Sequence, residues 1–248
     1  MSTTWFRPAN RTTVRLRRAL DIVERAREQI VAPTGSAWLK LRRRAENLEA
    51  RATLALDGVI LDKDTSRQRL PPGLRRSRDG AVKAFRFAHT PRATQEPLYG
   101  AVVVREYHRL LYRGSEEVGS QAGNYRTKPI PSTVSQTEVA RGVRELTDWL
   151  NDWAALSPVV AGAIVQARMA ELAPFGHGDL RVGRALALDV LAQHGHGFEG
   201  LLSPSIAFAR VSYDDTLRKA NVDSQEFIEY YAEGLAISAF RLLTGNLS

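Results

Sequence analysis

Cysteine is absent from all 248 residues, so disulfides and thiolate chemistry are excluded and any metal would fall to His, Asp or Glu. Long apolar runs are missing too. None approaches the length of a membrane span, and the opening "MSTTWFRPANRTTVRLRRAL" puts arginines where a secretory signal needs an apolar core. The expectation is a cytoplasmic protein with no membrane insertion. Alternating strand-like stretches are scarce, no internal repeat stands out, and no Ser/His/Asp order or carboxylate pair announces hydrolytic chemistry.

Positive charge is plentiful and unevenly placed. Residues 1–80 hold 18 Lys/Arg against 9 Asp/Glu, whereas residues 81–248 hold 17 against 18. That asymmetry fits a footprint for nucleic acid or another polyanion. It also fits a bland origin, because 30 of the 35 basic residues are Arg in an Ala-rich chain, as GC-rich codon usage produces. The run "KLRRR" reads as one solvated helical face.

Apolar residues at helical spacing recur in nearly every segment, which predicts an all-α protein. The pattern gives helices from Thr13 to Val31, from Ser36 through "AWLKLRRRAENLEARATLAL", from Ala81 through "AVKAFRFAH", and across "LYGAVVVREYHRLLYRG". Later helices are expected at 135–153, 157–171, 181–194, 203–219 and 223–243. Between Asp57 and Gly80 the periodicity fails and Pro, Gly and charge collect. The division is a basic helical segment over 1–60, a loop or linker over 61–80, and a helical core over 81–248. "GSEEVGSQAGNYRTKPIPST" reads as a turn or short hairpin. The predicted core includes Trp149, Leu150, Val160, Ile164, Phe175, Leu186 and Leu188.

The chemistry collects in "LAPFGHGDLRVGRALALDVL", residues 172–191, a Pro/Gly loop feeding a helix whose first turn carries two arginines. Backbone N–H groups at such a junction can converge on an anion. Arg181 and Arg184, three apart, project from one turn and can clamp a di- or triphosphate. Gly178 precedes them and Gly183 lies between them, and Asp179 is placed to reach a magnesium ion on the phosphates. The competing reading has these arginines cap loops and pair with local acids. His177 lies in the same loop. His194 and His196, in a Gly-rich turn, suit a helix end better than a metal, and His89 and His108 read as packing or surface residues.

With these segments in order, the chain resembles the Fic family, nucleotide-using protein modifiers with the helical Fido fold. The family signature is H-P-F-x-[D/E]-G-N-G-R-x-x-R, and this chain reads A-P-F-G-H-G-D-L-R-V-G-R from Ala173 to Arg184. Pro174, Phe175, Gly178, Arg181, Gly183 and Arg184 agree with the family's usual residues. "AGNYRTKPI", with Asn124, Tyr125, Arg126 and Thr127, resembles its β-hairpin flap. "TLALDG", with Thr53, Asp57 and Gly58, resembles the inhibitory motif [S/T]-x-x-x-E-[G/N]. "REYHRLLYRG" and the helices over 143–172 complete a likeness spanning roughly residues 45 to 240.

The resemblance implies ATP or another nucleotide with magnesium as ligand of the intact site, and transfer of AMP to a protein hydroxyl. In that scheme the motif histidine is the general base, and here its place is held by Ala173, whose methyl group accepts no proton. The acidic magnesium ligand is replaced by His177, the asparagine by Asp179 and the second glycine by Leu180. The resemblance assigns Arg184 to pair with Asp57, one methylene shorter than the usual glutamate. Three functions follow as expectations: a catalytically impaired nucleotide- or partner-binding pseudoenzyme; a noncanonical nucleotidyl transferase with His177 or Asp179 replacing the base; and a nucleic-acid binder using the basic amino-terminal helices.

Overall fold

A computed structural model of the chain describes residues 13–29, 35–59, 70–92, 97–113, 115–116, 118–130, 134–152, 157–194, 202, 213, 215–217 and 225–244. Among them run eight α-helices: α1 (Val14–Gln29), α2 (Ser36–Leu56), α3 (Pro72–Ala88), α4 (Ala101–Tyr112), α5 (Gln136–Asp152), α6 (Pro158–Leu172), α7 (Asp179–His194) and α8 (Gln225–Leu243). A 3-10 turn spans Gly119–Gln121. The expected 203–219 helix lies mostly outside the described residues, as do Ile30, Val31 and His196. No helix among the described residues is long and apolar enough to cross a membrane.

α6 and α7 form the central pair. Both are apolar on nearly every side, α6 burying Ile164, Val165 and Met169 and α7 burying Val182, Leu186 and Leu191. Such all-round burial is what a helix at the centre of a bundle requires. Ser157 starts α6 by accepting from the Val159 N–H at 3.3 Å, and Pro158 follows where a missing donor costs nothing. Gly183 allows the two helices to close up, since a Cβ there would stand 3.1 Å from that of Met169. α3, α4, α5 and α8 pack around this pair. Phe175, Leu150, Ile164, Leu186 and Leu188 are buried, while Trp149 and Val160 pack against the core half-buried.

α1 lies along α8. Thr13 Oγ1 donates to Glu229 at 2.5 Å and Arg15 Nη2 to Glu233 at 2.6 Å. α2 instead packs on α3 and ends at Asp57, with Gly58 (φ 86°) donating to the Ala55 carbonyl at 2.9 Å. This left-handed glycine is a common helix stop.

Two expectations are corrected. The helix expected from Ala81 begins at Pro72, because Pro at the first helical position initiates a helix instead of breaking it. The expected β-hairpin flap is not seen: no strand occurs among the described residues, and 124–130 runs as a single strap tied to the neighbouring loop through the Arg126 N–H and Nε.

A buried ion pair outside the loop also ties the bundle. Arg92, just past α3, donates to Asp189 of α7, and both are almost wholly buried. The Arg92 guanidinium lies 5.1 Å from the Phe87 ring centre and 5.8 Å from that of Tyr99. Gln193 binds the same connection, donating to the Ala88 and Thr90 carbonyls at 2.9 Å each.

Candidate functional site

The loop between α6 and α7 is shaped by three left-handed residues. Ala173 closes α6 with φ 38° and ψ 58°, and Gly176 and Gly178 both have φ 75°. Ala173 is the one non-glycine residue in this conformation among those described. Gly178 is doubly required: a Cβ there would fall 2.1 Å from the Tyr112 hydroxyl. Asp179 closes the loop from inside, its Oδ1 accepting from the Phe175 N–H at 2.7 Å and its carboxylate also drawing on the N–H groups of Gly176 and Asp179. Burial nevertheless pushes the Asp179 carboxyl up to about 6.

Behind the loop, two guanidinium groups meet one carboxylate. Arg181 Nε donates to Asp57 Oδ2, and Arg184 Nη2 donates to Asp57 Oδ1 at 2.8 Å. Arg184 also holds Thr53, through the hydroxyl and, at 3.2 Å, the carbonyl. The shorter Asp57 therefore reaches Arg184, and it binds Arg181 as well. Burial pushes the Asp57 carboxyl up, but attraction to Arg184 and Arg181 outweighs this and holds it below its ordinary value. Burial likewise works against the charge of Arg184, yet Tyr213 and Asp57 raise its pKa above the usual arginine range. Both groups remain charged at neutral pH.

These residues border a cavity of about 600 Å³, with Asp57, Tyr112, Ala173, His177, Asp179 and Arg181 in its wall. Ala173 contributes only a methyl group to this wall. Arg181 arches over the Tyr112 ring, 5.5 Å from its centre, and His177 meets the same ring edge-on at 5.0 Å. Arg184 and Gly183 lie deeper. Arg184 is 2% exposed beneath the cavity wall, and Gly183 faces Gln166 and Met169 of α6. The two therefore serve the wall and the helix packing, while Gly178 and Arg181 face the cavity.

His108, expected to be a packing or surface residue, is a buried organiser of this site. Its Nδ1 accepts from the Gly123 N–H at 2.7 Å, and its Nε2 donates to the His177 carbonyl at 3.0 Å. Its ring stacks on Phe175 with centres 4.0 Å apart and planes 4° from parallel. One imidazole thus joins α4, the start of the strap and the loop. Burial drops its pKa to about 4, and the Gly123 bond requires Nδ1 unprotonated.

The strap is fixed by Arg126. Its N–H donates to the Pro174 carbonyl and its Nε to the Ala173 carbonyl, both at 2.8 Å, and Nη1 reaches the Lys128 carbonyl at 3.0 Å. Tyr125 leans on Phe175, Arg105 covers Tyr125, and Arg105 Nη2 donates to the Asn124 side chain at 3.3 Å. Asn124 and Thr127 are exposed. Two bonds to the loop, one from the backbone and one from the side chain of Arg126, stand where a hairpin would have made a ladder.

His194 ends α7 stacked on Tyr99, with ring centres 5.9 Å apart. No group of three His, Asp or Glu suited to a metal occurs among the described residues.

No protein-family model matches the chain, and no curated protein matches its sequence. Solved structures do match in shape. A Fic family protein from Desulfovibrio desulfuricans G20 superposes with TM-score 0.78 at 17% identity, over 98% of this chain and 78% of that one. Fic-1 from C. elegans gives 0.77 at 21%, over 94% and 72%. A Fic domain containing signaling protein from Bacteroides thetaiotaomicron VPI-5482 gives 0.70 at 17%, over 93% and 98%. Over nearly its whole length the chain therefore has an all-α Fic-like fold.

Proposed function

We propose that this chain is a Fic-like pseudoenzyme whose cleft binds the phosphate groups of a nucleotide or a partner, without performing nucleotide transfer. One observation carries the reading: Arg181 and Arg184 converge on the Asp57 carboxylate beside a cavity whose base position is the Ala173 methyl. Two guanidinium groups that grip a carboxylate can grip a phosphate. Without a proton acceptor at residue 173, a target hydroxyl loses the general-base contribution, typically about 10²–10⁴-fold. Asp57 then acts as a resident anion that an incoming ligand must displace.

Transfer by a substituted base is the second reading. Asp179 and His177 both face the cavity, and the Asp179 carboxyl sits at about 6. Against it, Asp179 is already engaged by the loop's own N–H groups. The nucleic-acid reading gains little from the described basic residues, since Arg15, Arg27 and Arg42 pair with Glu233, Glu24 and Glu46.

The experiment is incubation of the full chain with ATP labelled at the α-phosphate, alone and with cell extract. The expected outcome is no labelled protein. Stoichiometric labelling abolished by Arg181→Ala would overturn the pseudoenzyme reading in favour of a transferase.

A further inference from the structure

We infer that the cleft takes its phosphate ligand as a metal-free anion, neutralised by arginine alone. The inference rests on the phosphate-binding reading above and names the form of ligand it requires. Magnesium demands hard oxygen ligands in near-octahedral array and is usually tethered by one or two carboxylates beside the substrate phosphates. The intact family motif supplies such a carboxylate; among the described residues the cavity lining does not fit one.

Among the described residues two carboxylates face the cavity, Asp57 and Asp179, and both are engaged. Asp57 gives Oδ1 to Arg184 and Oδ2 to Arg181. A cation placed there would have to approach two guanidinium charges. Asp179 gives Oδ1 to the Phe175 N–H at 2.7 Å and serves Gly176 and its own backbone as well. Turning it to a metal would strip three donors from a loop whose shape depends on them. It is also 8% exposed, and burial favours its protonated form.

The motif's acidic position is His177. Its imidazole nitrogen is a poor ligand for a hard cation. Its carbonyl, the one oxygen it could offer, already accepts from His108 Nε2 at 3.0 Å.

The positive charge needed for a phosphate is instead built into the wall. Arg181, over the Tyr112 ring and bonded to Asp57, borders the cavity directly. Once Asp57 yields, its fork is presented to a ligand with Arg184 behind it. The cavity, about 600 Å³, is within the range that holds nucleotide-sized molecules. The class of ligand is therefore a free phosphate or pyrophosphate group, alone or on a nucleoside, carrying its full negative charge.

Calorimetric titration of the full chain with pyrophosphate, in EDTA and then in excess magnesium chloride, tests this. The expected result is saturable binding in EDTA that magnesium weakens by about tenfold, because the metal cancels ligand charge before it reaches the arginines. His177→Glu should reverse the order, making magnesium favourable. Tighter binding with magnesium in the unaltered chain would overturn the metal-free inference and leave phosphate binding standing. Absence of binding in both solutions would overturn both.

Discussion

Arg181 donates through Nε to Asp57, which lies 124 residues earlier in the chain. The bond joins the end of α2 to the first turn of α7, and with Arg184 it makes Asp57 the stand-in for whatever anion the cleft receives.

Replacing Asp57 separates its two roles. Asp57→Asn leaves two neighbouring guanidinium groups without a countercharge, one of them 2% exposed. Breaking a buried pair from one side costs about 3–5 kcal/mol, and the 21% exposure of the Asp57 side chain places this case at or below the lower end. Thermal unfolding should show the loss, and added pyrophosphate should recover more stability in the variant than in the unaltered chain. Equal recovery would deny that Asp57 competes with the ligand.

The loop carries a sharper steric test. Gly178→Ala combines a φ of 75° with a methyl 2.1 Å from the Tyr112 hydroxyl, whereas at Gly176 the nearest atom to such a methyl is Ile130 Cδ1, 3.2 Å away. Gly176→Ala should cost about 1–2 kcal/mol, the usual left-handed penalty. Gly178→Ala should cost distinctly more, as urea unfolding would show. Equal costs would mean that Tyr112 yields freely.

His108 should be read through pH. Its folded pKa is about 4 against an ordinary 6.5, so the unfolded chain binds the extra proton. Its contribution to stability is whole above about 6.5 and is lost as pH falls from there to about 4, with a slope of at most ~1.4 kcal/mol per unit. Asp179 and Asp189 have the opposite sign. Burial pushes both carboxyls up to about 6, so their folded forms gain relative stability as pH falls through that value. The difference between the unaltered chain and His108→Gln isolates the imidazole. It should shrink steadily between pH 6.5 and 4, with hydrogen exchange at the Gly123 N–H accelerating over the same range. A constant difference would contradict the assigned protonation.

The buried Arg92–Asp189 pair, which does not line the cavity, gives a stability prediction. Arg92→Ala strands Asp189, which is wholly buried, and should cost about 3–5 kcal/mol in urea unfolding. Replacing both partners with apolar residues, as in Arg92→Met with Asp189→Leu, should recover most of it. A double variant as unstable as the single one would show that the charges themselves are needed.

The helices could be read in the sequence because each carries its own periodicity. The spans expected from apolar spacing for α6 and α7, 157–171 and 181–194, lie within two residues of their observed ends. The start of α3 was not, since "PPG" contains both a helix breaker and a helix starter, and Pro72 plays the second part. At the site, the loop and its two arginines were legible as local pattern. The role of His108 was not. Its partners are Gly123 and His177, 15 and 69 residues away, and nothing in "REYHRLLYRG" distinguishes a buried imidazole from an ordinary one. The strap was misread for the same reason: Arg126 bonds to Ala173 and Pro174, and that competition for its backbone and side chain lies outside any local window.

The most direct measurement is calorimetric titration with ADP of the unaltered chain, Asp57→Asn and Arg181→Ala. The account predicts measurable binding to the unaltered chain, binding about tenfold tighter to Asp57→Asn, and loss of binding in Arg181→Ala. If ADP ignores all three, or binds Arg181→Ala as well as the others, the arginine pair does not hold phosphate and the central claim fails.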